Sequence, residues 1–142
     1  MKTFLKILAV FLLLYVGLGA LYGSWMLLSD PGGGKFYLST GLLKNSPFHD
    51  YLIPGIILLL FNGLLPLFIV VAVFLKTKNH PRLIILQGLI LIGWLTVELL
   101  INPAFFVPYL HYSLYASGVI LVIIGLVSMK TEKRPSSTSK SW

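Results

Sequence analysis

The stretch ILAVFLLLYVGLGALYGSWMLL, residues 7–28, runs for 22 positions without a charged side chain. As an α-helix it is about 33 Å long, enough to cross a hydrocarbon core of about 30 Å. Three more runs of this character follow, over residues 52–75, 83–101 and 109–129. Across the 142 residues, 57% are apolar and only 11% charged, against roughly 25% charged in ordinary soluble domains. So few charges cannot cover a soluble surface. The same figures exclude a disordered chain and a coiled coil. The absence of cysteine excludes disulfides, thiolate metal sites and Cys nucleophiles. The expected fold is all-α, an integral membrane four-helix bundle. It occupies residues 1–129, and a polar basic tail over residues 130–142, rich in Ser and Lys, is read as disordered.

The first run follows Lys2 and Lys6, the start of a secretory signal as well as of a membrane helix. Signal h-regions span roughly 7–15 residues. This run continues past Trp25, so a retained helix is expected. Asp30-Pro31 and the glycines Gly32, Gly33 and Gly34 stop it, since Pro lacks an N–H and Gly weakens any helix. The connection then carries Phe36, Tyr37, Leu38, Leu42 and Leu43, which suits a segment lying at the membrane interface and predicts a structured outer loop. Ser46-Pro47-Phe48-His49-Asp50 reads as the start of the second helix: a capping hydroxyl, a first-turn proline and an acid at the positive helix end. Within that helix Pro54 predicts a kink near its outer end. Asn62-Gly63 with Pro66 predicts a second irregularity near mid-membrane.

Orientation comes from charge. Lys2, Lys6, Lys76, Lys78, Arg82, Lys130, Lys133, Arg134 and Lys140 fall on one side of four spans, and Lys35 and Lys44 on the other. The positive-inside rule then puts both termini in the cytoplasm. The net charge of +7 is therefore topogenic. The basic clusters lack interleaved aromatics, so nucleic acid is not an expected partner. The bilayer is, with a membrane-protein partner or a second copy of the chain beside it.

Glu98 is the only acid within a span, and an ionisable group there marks a candidate site. Gln87, Trp94 and Glu98 share a helix face. A short antiparallel turn brings His111 to the depth of Glu98, so Glu98, His111 and Gln87 form the candidate polar membrane site. Asp30, His49 and Asp50 form a candidate outer-loop cluster, although both acids have local structural reasons to be where they are. Gly19 and Gly23, with Ala20 and Ser24, make a small-residue stripe for helix packing. Gly118 and Gly125 make another. Three scattered histidines give no metal-ligand spacing. P-loop, dinucleotide, HExxH and GxSxG motifs are absent, and no cofactor is expected.

The sequence Leu28-Ser29-Asp30-Pro31-Gly32-Gly33, then Ser46-Pro47-Phe48-His49-Asp50-Tyr51-Leu52-Ile53-Pro54-Gly55, then Asn62-Gly63 and Gly93-Trp94, resembles small uncharacterised bacterial four-span inner-membrane proteins. Their outer loops carry a similar Asp-Pro-small-Gly element and a Ser-Pro-Phe-x-Asp-Tyr-Leu-x-Pro-Gly segment. The resemblance implies a bacterial plasma membrane and a four-helix bundle, and it supplies no catalytic residues. Three roles fit this reading. A non-enzymatic accessory or structural membrane component is favoured. A small transporter or channel component using Glu98 and His111 comes second, and a membrane enzyme third.

Overall fold

The structure, a computed structural model, describes residues 2–34 and 39–133. Four helices are long and apolar enough to cross a membrane. They are α1 (Thr3–Ser29), α2 (Leu52–Phe74), α3 (His80–Ile101) and α4 (Pro108–Lys133). Short 3₁₀ turns lie at Thr40–Leu43 and Pro103–Phe105. No strand occurs among the described residues. Large apolar side chains such as Phe4, Phe11, Phe68, Phe74 and Leu100 are mostly exposed, as lipid-facing side chains are.

Two boundaries differ from expectation. Ser46–Asp50 is not helical. Ser46 Oγ donates to the Leu43 carbonyl at 2.8 Å and accepts from the Phe48 N–H at 3.2 Å, a turn rather than a cap. The Asp50 carboxylate accepts from the Leu52 N–H at 3.0 Å, and the helix begins there. At the other end α4 runs four residues into the expected tail, through Lys133, because Lys130 and Thr131 do nothing to break a helix. Residues 134–142 lie outside the described residues. So do Phe36, Tyr37 and Leu38 of the loop. Leu43 does not lie on the surface of that loop: it is buried at 3% exposure.

The four helices form two hairpins. α1 packs along α2, and α3 packs along α4. Glycines set both seams. Around α3 and α4 the backbones touch: a Cβ on Gly88 would come within 2.6 Å of the Gly118 carbonyl, and one on Gly125 within 2.7 Å of the Pro81 carbonyl. In the first hairpin Gly17 abuts Leu67 and Gly63, and Gly55 abuts Leu28. The expected Gly19–Gly23 stripe is not this seam. Gly19 has nothing within 4 Å of a Cβ and Gly23 only Leu58 at 3.3 Å. Gly17 meets α2, and Gly19, two residues or about 200° round the helix from it, faces elsewhere.

The hairpins join at the end of the bundle that holds the termini. Ala9, Leu12 and Leu13 of α1 meet Ile69, Val70 and Val73 of α2, Ile84 of α3, and Leu121 and Ile124 of α4 in one core. The α2–α3 turn closes that end. Lys76 N–H donates to the Val73 carbonyl and Thr77 N–H to the Ala72 carbonyl, both at 3.1 Å. This is a Schellman stop with Lys76 in the left-handed region at φ 54°.

The seam geometry predicts the effect of adding one methyl group. Gly88→Ala is expected to force α3 and α4 apart at a cost of about 1–3 kcal/mol, seen as a lower melting temperature in detergent by circular dichroism. Gly93→Ala, at a position open to 4 Å, is expected to leave the melting temperature unchanged or raise it slightly.

Candidate functional site

The middle of α2 is not α-helical. Leu58–Leu64 is π-helical, between α-helical Leu52–Ile57 and Leu65–Phe74. The expected mid-membrane irregularity at Asn62-Gly63 and Pro66 takes this form. Pro54, by contrast, sits in the first turn, where its missing N–H has no intrahelical partner to lose. In the π segment the Leu65 N–H donates to the Leu60 carbonyl, five residues back. The Phe61 carbonyl would take the next donor in that register, from residue 66. That residue is proline and has none.

Gln87 of α3 supplies the missing donor. Its Nε2 lies 3.1 Å from the Phe61 carbonyl and 3.1 Å from Asn62 Oδ1. Both amide side chains are buried, Gln87 at 0% exposure and Asn62 at 1%. The arrangement orients Asn62: with Oδ1 turned to Gln87, its Nδ2 has no partner.

The structure divides the expected site of Glu98, His111 and Gln87 in two. Gln87 belongs to this clamp, eleven residues before Glu98 and about 16 Å away along α3. Glu98 does meet His111, at 3.3 Å between Oε2 and Nε2. The imidazole is buried at 3% exposure, and the Glu98 side chain is 31% exposed. The Val107 N–H donates to His111 Nδ1 at 3.0 Å, and the Val107 carbonyl already accepts from the His111 backbone N–H. Nδ1 also lies 3.2 Å from that carbonyl, so Val107 anchors this edge of the ring in either tautomer, and Nε2 faces Glu98. Beyond this close contact Nε2 is enclosed, with no hydrogen-bond partner and almost no accessible surface. The Trp94 side chain, one turn from Glu98, also interacts with the carboxylate.

A cavity of about 770 Å³ joins the two halves. Its walls include Tyr15, Gly19 and Gly23 of α1, Ile57, Phe61 and Asn62 of α2, Leu91, Gly93, Trp94 and Glu98 of α3, and His111 and Leu114 of α4. It lies beyond the main core, beside a smaller cluster of Val16 with Leu91 and Leu95 that also joins the hairpins. Gly19 and Gly93 both present open space to it, whereas the large apolar side chains of the core fill the other half. Tyr15 and Ser113, 2.7 Å apart, bridge α1 to α4 along its side. Ser113 and Ser117 also bond back to carbonyls of their own helix, at 2.9 and 2.8 Å.

The loop before α2 closes one end. Leu43, Phe48 and Tyr51 line the cavity there. Tyr51 is held twice, by its N–H to the Pro31 carbonyl at 2.9 Å and by its hydroxyl to the Ser39 carbonyl at 2.7 Å. Asp30 stands at the base of this fold-back, its carboxylate beside Gly32 and Gly34, and its carbonyl accepts from the Gly33 N–H. Asp30, His49 and Asp50 do not converge. No three His, Cys, Asp or Glu side chains form a metal-holding group among the described residues. His49 is exposed, and Asp50 is spent on starting α2. The sequence reading placed Asn62 in the α2 irregularity and not in the polar site, where it meets Gln87. Its signal is an amide in mid-span four residues before a proline.

Comparison of the chain with protein-family models, with curated proteins and with solved structures found no match.

The clamp predicts an energetic coupling between two residues that do not follow one another in sequence. Gln87→Leu strips the donor from the Phe61 carbonyl and from Asn62, and is expected to cost about 1–2 kcal/mol. Pro66→Ala returns an N–H to α2, so the double variant is expected to recover part of that loss. A double-mutant cycle on thermal unfolding measures this; strictly additive effects would reject the clamp.

Proposed function

We propose that this multi-pass membrane protein binds an amphipathic, membrane-dissolved molecule between its two hairpins. Its polar head lies at Glu98 and His111, and its apolar body lies in the cavity. The observation that carries this reading is the cavity itself. At about 770 Å³ it falls within the roughly 300–1,000 Å³ of small-molecule sites, and it pairs an apolar wall with a few convergent polar groups, as such sites do. A component acting by helix packing alone has no use for such a space, so the cavity moves weight from the accessory role toward a carrier or transporter component. No step of bond making or breaking is required of Glu98 and His111. The partly exposed Glu98 carboxyl gives a head group its polar contact, with the buried His111 imidazole behind it.

Both termini are read as cytoplasmic, on the strength of Lys76, Lys78 and Arg82 in the α2–α3 turn and Lys2 and Lys6 beside α1. The cavity then lies in the outer half of the membrane. A bacterial plasma membrane is supported by the resemblance of the loop motifs to small four-span bacterial proteins.

Trp94 on the cavity wall reports occupancy directly. With Trp25→Phe and Trp142→Phe it becomes the only one of three tryptophans left. A long-chain alcohol brominated along its chain is expected to quench its fluorescence saturably in lipid nanodiscs. Gly19→Leu with Gly93→Leu, which fills open space rather than a packed seam, is expected to abolish the saturable part while the melting temperature holds. Quenching that grows only in proportion to the alcohol in the bilayer, alike in both proteins, would sink the proposal.

A further inference from the structure

The Glu98–His111 pair shows the cavity its acidic side. Glu98 is 31% exposed and His111 only 3%. The imidazole is held along one edge by the Val107 backbone and faces Glu98 with the other. The carboxylate is therefore the part of the pair that a molecule in the cavity can touch. Among the described residues that line the cavity, Glu98 is the only acid and none is Lys or Arg. Lys44, in the loop that closes this end, is exposed and stands outside the lining. Aromatic side chains with accessible surface share the same end. Trp94 lies one turn before Glu98 and interacts with the same carboxylate. Phe105 sits in the turn that follows α3, and Phe48 in the loop just ahead of α2. Trp94, Phe105 and Phe48 are each half-buried and line the cavity.

These groups discriminate between head groups by charge. An anion meets the Glu98 carboxylate with no Lys or Arg in the lining to balance it. A neutral head gains a hydrogen bond to that carboxylate. A cation gains more. It supplies the counter-charge to Glu98 in a water-poor space, where Coulomb attraction is strong. The faces of aromatic rings attract it as well. Resting on the cavity-binding reading above, we propose that the ligand is a monocationic amphiphile, an organic ammonium on a single apolar chain. The ammonium lies against Glu98, among Trp94, Phe48 and Phe105. The chain runs between the hairpins past Leu91 and Leu95 toward the level of Gln87. That level is eleven residues from Glu98 on α3, about 16 Å. A chain of about a dozen carbons, advancing roughly 1.25 Å per bond, fills this depth.

The Trp94-only protein tests this by competition against the brominated alcohol, in nanodiscs of zwitterionic phosphatidylcholine with concentrations counted in the bilayer. The probes share a dodecyl chain and differ in head charge: dodecyltrimethylammonium, dodecyldimethylamine N-oxide and dodecanesulfonate. At neutral pH the N-oxide carries no net charge and is close to the ammonium in shape. The ammonium is expected to displace the alcohol at a concentration about ten-fold lower than the N-oxide does, and the sulfonate to be the weakest competitor. Glu98→Gln is expected to bring the ammonium to the level of the N-oxide. The comparison of probes needs no variant, so it stands even if Glu98→Gln fails to fold. Equal potency of the three probes, whether strong or nil, or a preference for the sulfonate, would overturn the cationic head and leave cavity binding intact. A ten-fold preference for the ammonium that survives Glu98→Gln would do the same. Absence of any saturable quenching by the alcohol would overturn both readings.

Discussion

The Phe61 carbonyl cannot be served by its own helix. The π register hands it to residue 66, and Pro66 has no N–H to give. In water such a group finds a solvent molecule, but in hydrocarbon it has to be satisfied within the protein. Gln87 does this from the next helix, and its Nε2 also holds Asn62. One side chain therefore fixes the height of α3 against α2 and so of one hairpin against the other. The clamp is polar, buried and directional, and with the Tyr15–Ser113 hydrogen bond it ties together hairpins whose other contacts are mostly apolar.

Above and below that clamp the bundle has different physics. Toward the termini, branched and γ-branched side chains from all four helices interlock in one core. Toward the loops the two hairpins keep their internal glycine seams and meet through a smaller cluster, Val16 with Leu91 and Leu95, beside the cavity. Gly19 and Gly93 give no side chain there. In a membrane, no hydrophobic pressure from water drives such a gap to close, since lipid tails solvate the walls as well as protein does. A cavity of this size is thus stable at a depth where a soluble protein of 142 residues would collapse it.

The loop stands at one end of the cavity, and the Glu98–His111 pair lies in its wall. At one end the fold-back of the loop onto Pro31 and Ser39 through Tyr51 seats Leu43 and Phe48 over the opening. Nearby, the short Asn102–Val107 connection returns the chain so that His111 meets Glu98, and the Val107 backbone holds the opposite edge of the imidazole. The imidazole 3.3 Å away gives the Glu98 carboxyl a polar partner within the protein. A lone Glu98 at this depth would be far costlier.

The sequence by itself determined that this chain crosses a membrane four times, because a 20-residue apolar run has few other homes. It also determined the depth of Glu98 relative to His111, since a hairpin with a short turn leaves little choice of register. Asn62-Gly63 and Pro66 announced a break in α2. Only the tertiary structure decided what the break does: whether Phe61 keeps its carbonyl paired depends on a residue 26 positions away, and no local pattern encodes that distance. The same limit explains Gln87, which shares a helix face with Glu98 yet serves a different partner. It explains Gly19 as well, whose small size reads like a packing seam in the sequence and opens a cavity in the fold. Small residues say that something comes close or that space is left. Which of the two holds is settled by the helix opposite.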